Sequence, residues 1–175
     1  MTQTTPRLAA IAVGLSMIAA PALAAAPQPA KPVPASFFSG AWHEIARTPN
    51  MNQKDCEAPV SKFVSGAGGA YTVSQTCRKG SPTGPAKTVS TKGAIVPGTN
   101  NAKFSMSFLG GIKKQEYWIL DRADDNGWAI MATPGGNYVW LLSRNAQMPA
   151  ATRNAALARI KALGYDTAKL VFPKQ

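Results

Sequence analysis

The stretch Trp128-Ala-Ile-Met-Ala-Thr-Pro-Gly-Gly-Asn-Tyr-Val-Trp-Leu-Leu-Ser143 reads as two short strands, Trp128 to Thr133 and Tyr138 to Ser143. They fold back on each other at Pro134-Gly135-Gly136-Asn137, whose residues supply the fixed and positive φ angles a tight turn needs. The same grammar repeats upstream of this hairpin. Ala41 to Thr48, Val60 to Ser65, Ala70 to Cys77, Thr88 to Val96, Lys103 to Phe108 and Glu116 to Asp121 are runs rich in β-branched and aromatic residues. Turn sequences such as Gly66-Ala67-Gly68-Gly69, Pro97-Gly98-Thr99-Asn100-Asn101 and Asp124-Asp125-Asn126-Gly127 separate them. Strands joined in order by short connections make an antiparallel meander. Eight of them close into an all-β, up-and-down barrel, which leaves no edge unpaired and has room for one small ligand.

In Lys103-Phe-Ser-Met-Ser-Phe108, alternation sends Phe104, Met106 and Phe108 to one face and the serines to the other. Both strands of the 128–143 hairpin are instead apolar on both faces, so something must cover them from outside. Ala150 to Leu163 supplies the cover. It carries Ala156, Leu157, Ile160 and Leu163 on one helical stripe, with Gly164 placed to end the helix. A short last strand is expected at Lys169 to Phe172.

The chain has 175 residues, an excess of eleven positive charges, one His and two Cys. A single imidazole builds no multi-His metal site, and two Cys make no zinc finger. No metal, cofactor or catalytic residue is expected: no nucleophile stands beside a base, and Glu116, Asp121, Asp124 and Asp125 read as solvated turn acids. At the N-terminus, Arg7 precedes an apolar run from Leu8 to Ala20 and then Pro21-Ala22-Leu23-Ala24, the zones of a secretory signal cleaved after Ala24. That run falls short of the ~20 residues a membrane span requires, and the first Cys, Cys56, is far from the cleavage point, so no lipid anchor is expected. Residues 1–24 are thus read as signal, 25–36 as a Pro/Ala-rich tether that reaches without packing, and 37–175 as the folded domain. The location implied is periplasmic or secreted.

Gly40-Ala41-Trp42, followed by Tyr117-Trp118-Ile119-Leu120-Asp121, Trp128 to Met131, Tyr138 to Arg144 and Leu163-Gly164-Tyr165-Asp166-Thr167, resembles the lipocalin family in order and spacing. The branch most similar is that of the bacterial outer-membrane lipocalins and apolipoprotein D. The resemblance runs from Phe37 to the C-terminus. It departs at Ala123 to Gly127, where many lipocalins carry a Thr-Asp-x-Tyr-like motif.

The resemblance implies that Gly40, Trp42 and Arg144 are a structural signature, with Arg144 lying across the Trp42 indole at the closed end of the barrel. Physics agrees, because a planar guanidinium stacks on an indole while its donors reach carbonyls, a contact of roughly 0.5–2 kcal/mol. If Ser65 stands opposite Ala70, Cys56 and Cys77 fall within a step of direct opposition, and cystines placed like this resemble those of the same branch. Two free buried thiols, or a nucleophilic Cys as in one enzymatic lipocalin, are the rival readings.

Period two places Trp42, Phe104, Met106, Phe108, Tyr117, Ile119, Tyr138 and Trp140 on the inner face, a lining with few polar groups. Glu44 shares the face of Trp42 and needs a buried partner that the sequence does not name, whereas His43 points the other way. By resemblance the protein binds and carries fatty acids, lysophospholipids or similar amphiphiles, with no bond made or broken. An alternative is a barrel-type protease inhibitor working through its N-terminal tail. Export moves the expected partner of the basic surface from nucleic acid to an anionic membrane surface, and Gly110-Gly111-Ile112-Lys113-Lys114 is a basic loop able to meet such a headgroup or to stand as a solvated turn. No oligomeric state follows from the sequence.

Overall fold

The computed structural model describes Met1 and residues 25–175, so the expected signal segment lies outside the described residues apart from Met1. Eight strands follow in order: β1 (Gly40–Arg47), β2 (Cys56–Ser65), β3 (Ala70–Lys79), β4 (Ala86–Ile95), β5 (Lys103–Phe108), β6 (Lys113–Arg122), β7 (Trp128–Ala132) and β8 (Val139–Ser143). Each pairs antiparallel with the next, and β8 pairs with β1 to close the barrel. A helix, α1 (Ala150–Ala162), comes after the barrel.

Alternation sorts the side chains into two apolar layers. Inside are Trp42, Phe63, Tyr71, Val73, Phe104, Met106 and Ile119, packed with Phe37 and Phe38 from the segment before β1. Outside, Ile45, Leu120, Ile130 and Leu141 lie with Ala156 and Ile160 of α1, both fully buried. The helix thus covers the hairpin that is apolar on both faces. Gly40 adopts φ +93°, a left-handed turn that an L side chain resists, as the chain swings from the Phe37-Phe38 plug into β1. This plug and the 96–102 and 123–127 connections mark the closed end; loops 48–55, 80–85, 109–112 and 133–138 ring the open mouth.

Three departures from the sequence reading have physical causes. Residues 25–36 pack rather than dangle: Ala26 and Val33 are buried, the Ala26 amide donates to Pro134 O (2.9 Å) and the Val33 amide to Asn100 O (2.9 Å). The Arg122 guanidinium donates to Pro32 O at 3.0 and 3.1 Å. Asp121, read as a solvated acid, is paired with Lys31 (3.1 Å) and Arg159 (2.6 Å). The last strand is reduced to one bridge, Arg47 with Val171, because Asp166 accepts from the Ala168 amide (3.1 Å) and winds Thr167–Lys169 into a 3-10 turn. The tail then fills the gap where β1 and β2 splay, the Ala58 amide donating to Lys174 O (2.6 Å) and Gln175 Nε2 to Glu44 O (2.7 Å).

Candidate functional site

The inner layer divides the sequence-derived lining into two groups. Phe104, Met106 and Ile119 are 1, 2 and 2% exposed, with Phe38 seated 4.7 Å from the Phe104 ring. They fill the closed end together with Trp42 and do not border open space, because the Phe37-Phe38 plug occupies it. Nearer the mouth, Phe108, Tyr117 and Trp140 are only half-buried against that core, joined by Met131, which alternation along β7 also turns inward. The Tyr117 and Trp140 rings meet edge to face at 5.8 Å. Tyr138 immediately precedes β8, is 38% exposed, and lies 6.0 Å from Trp140 on the rim.

A polar network, unforeseen from the sequence apart from Glu44, stands beside these aromatics. The register shift between Glu44 and Ala46 marks a bulge in β1 that turns Arg47 to the inner face Glu44 already occupies. Arg47 Nη1 donates to Glu44 Oε1 at 2.7 Å, and Gln53 Nε2 donates to Glu44 Oε2 at 2.7 Å. Arg47 Nη2 reaches the carbonyls of Gln53 (2.8 Å) and Cys56 (3.3 Å), and Trp140 Nε1 donates to Gln53 Oε1 (3.2 Å). Loop 48–55 is thereby clamped to the barrel wall. Burial pushes the Glu44 carboxyl above its ordinary value, against the opposing charge of Arg47 and the hydrogen bonds from Arg47 and Gln53. Arg47 Nε is buried with no hydrogen-bond partner among the described residues.

A cavity of about 540 Å³ opens at the rim, walled by Arg47, Met51, Gln53, Tyr138 and Phe172 among others. Arg47 and Gln53 border this cavity, and Gln53 also accepts from Trp140 Nε1. The Cys56–Cys77 disulfide is formed and ties the start of β2 to β3 at the same end. At the closed end the Arg144 guanidinium lies over the Trp42 indole, 3.7 Å from its centroid.

A closed eight-stranded barrel, plugged at one end and lined by half-buried aromatics at the other, defines a protein that binds small hydrophobic molecules. The chain belongs to the lipocalin family: residues 33–175 match the lipocalin-like domain. Members of this family are in general binding and transport proteins. The chain is 24% identical over 154 residues to the outer membrane lipoprotein Blc of Vibrio cholerae, covering 85% of this chain and 88% of the relative. A shorter stretch of 55 residues, 31% of this chain and 30% of the relative, is 36% identical to temperature-induced lipocalin-1 of Arabidopsis thaliana. Among solved structures, insecticyanin of the tobacco hornworm Manduca sexta superposes with a TM-score of 0.68 at 21% identity, over 85% of this chain and 84% of that one. Lobster apocrustacyanin A1 superposes at 0.61 with 18% identity, over 80% and 78% of the two chains. At these identities the solved structures share the fold.

Proposed function

We propose that the protein is exported and binds and carries small lipophilic molecules of the fatty-acid or lysophospholipid kind, with the tail held in the upper half of the barrel. The observation that carries this reading is Trp140, half-buried between Tyr117 and Tyr138 and hydrogen-bonded to the clamped mouth loop through Gln53. An apolar tail inserted among Phe108, Tyr117, Met131 and Trp140 would exchange water for ring and thioether contacts, roughly 25 cal/mol per Å² of apolar surface covered. Binding and release are the whole activity in this reading, and no residue is assigned a catalytic role. The cystine and the sequence zones of a secretory signal support export to the periplasm or beyond.

The inhibitor reading needs a free N-terminal segment, and the burial of Ala26 and Val33 against the barrel weighs against it. Native mass spectrometry of the exported protein before and after lipid extraction separates the two. A co-purifying amphiphile, removed by extraction, is the expected result. An empty barrel whose protease inhibition disappears on deleting residues 25–36 would replace carriage with inhibition.

A further inference from the structure

Large apolar side chains left in water are unevenly distributed on this molecule. Ile112 is 90% exposed, Met51 85% and Leu109 75%, and with Tyr138, Val171 and Phe172 they sit on the mouth loops or on the tail beside them, whereas Val64 and Val89 stand singly on β2 and β4. Three separate loops and the tail therefore each raise an apolar tip around one opening. A soluble surface scatters such residues singly, and clustering on one face marks a contact surface.

Charge on the same face has one dominant sign. Lys54, Arg78, Lys79, Lys87, Lys113 and Lys114 lie on the mouth loops or the strand ends that bound them, where the acids are Asp55 and Glu57. At the opposite, closed end Asp121, Asp124 and Asp125 stand among Lys31, Lys103, Arg122 and Arg144. A second copy meeting this mouth face to face would set lysines against lysines, and a nucleic-acid backbone makes no use of isoleucine and leucine tips. A bilayer with anionic headgroups satisfies both features, since its phosphates take the lysines and its interfacial acyl region takes the apolar tips.

We propose that the barrel mouth docks on an anionic lipid surface, with Leu109 and Ile112 as the inserted tip and Lys113 and Lys114 as its electrostatic collar. The 3-10 turn Leu109–Gly111 holds the tip clear of the strands. Docked this way, the mouth faces the membrane, so an amphiphile passes between bilayer and barrel without crossing bulk water.

The test is flotation of the mature protein with phosphatidylcholine vesicles, with and without phosphatidylglycerol, at low and high salt. The expected result is binding to the anionic vesicles that weakens with salt. Lys113→Gln and Lys114→Gln should each weaken it about fivefold, the equivalent of ~1 kcal/mol per basic residue near such a surface. Leu109→Ser with Ile112→Ser, both exposed and so tolerated by the fold, should abolish the salt-resistant fraction while leaving the melting temperature unchanged. Equal binding to neutral vesicles, unaltered binding by these variants, or a mouth-to-mouth dimer that ignores vesicles would overturn the proposal. Fatty-acid uptake from solution, measured on the same variants, reports separately on binding by the barrel.

Discussion

The Arg144 guanidinium lies 3.7 Å from the centroid of the Trp42 indole, and from there it donates to the carbonyls of Phe37, Ser39 (3.0 Å) and Ala41 (3.0 Å). One side chain therefore ties the end of β8 to the start of β1 and to the plug before it. Hydrogen bonds to a charged donor contribute about 1.5–3 kcal/mol, so Arg144→Ala should lower the melting temperature by about 5–10 °C in a domain of this size. Affinity for a fatty acid should be nearly unchanged, because the pair sits at the closed end. Calorimetry and ligand titration on one variant check both halves.

The buried Glu44–Arg47 pair predicts strong coupling. Arg47→Met leaves a carboxylate without its cation and should cost about 3–5 kcal/mol, whereas Glu44→Gln with Arg47→Met should recover part of that loss. A double-mutant cycle by urea denaturation measures the coupling. The pH sign of Glu44 also follows: its folded value lies above its unfolded one, so its contribution to stability is full below the unfolded value and is lost as pH rises through the folded one. The stability of wild type minus that of Glu44→Gln should accordingly decline from acid toward neutral pH.

Asp121 has the opposite sign. Burial alone would raise it, but hydrogen bonds from Arg159, the Arg122 amide and Lys31, together with the charge of Lys31, outweigh burial and hold the carboxyl below its ordinary value. Its contribution is present above the ordinary aspartate value of about 4 and is lost as pH falls through the folded value. Asp121→Asn should flatten the acid limb of the melting-temperature profile and cost about 1 kcal/mol or less at neutral pH, since Arg159 is exposed.

With Cys56 and Cys77 joined across a sequence separation of 21, the native protein should titrate no free thiol. Cys56→Ser with Cys77→Ser should lose about 3 kcal/mol by the loop-closure estimate. Two thiols in the native protein would contradict the bond.

The barrel was legible wherever period two ran unbroken. β5 ends where the Phe-Ser-Met-Ser-Phe alternation does and begins one residue before it, and the doubly apolar 128–143 hairpin correctly implied the helix that covers it. The polar side of the site was hidden by a single irregularity. Strict alternation places Arg47 on the face opposite Glu44, and only the bulge around Ile45 brings them together; the sequence marks that bulge with neither a Gly nor a turn residue. The plug was missed for a related reason: Phe37 and Phe38 precede the first strand, so no period assigned them to the interior that Phe104, Met106 and Ile119 were expected to leave open. Composition misled at residues 25–36, where prolines suggested a free tether but the Pro32 carbonyl takes two donors of Arg122.

Trp140 is placed to report an apolar tail in the upper barrel. Trp42 is buried at the closed end and Trp118 and Trp128 belong to the outer layer, so Trp140 is the tryptophan of the inner layer nearest the mouth. Titrating the delipidated protein with a bromine-labelled fatty acid should quench its fluorescence saturably, and Trp140→Phe should remove that component while the protein stays folded. Quenching that is absent, or that persists unchanged in Trp140→Phe, would contradict an apolar tail held beside Tyr117 and Trp140.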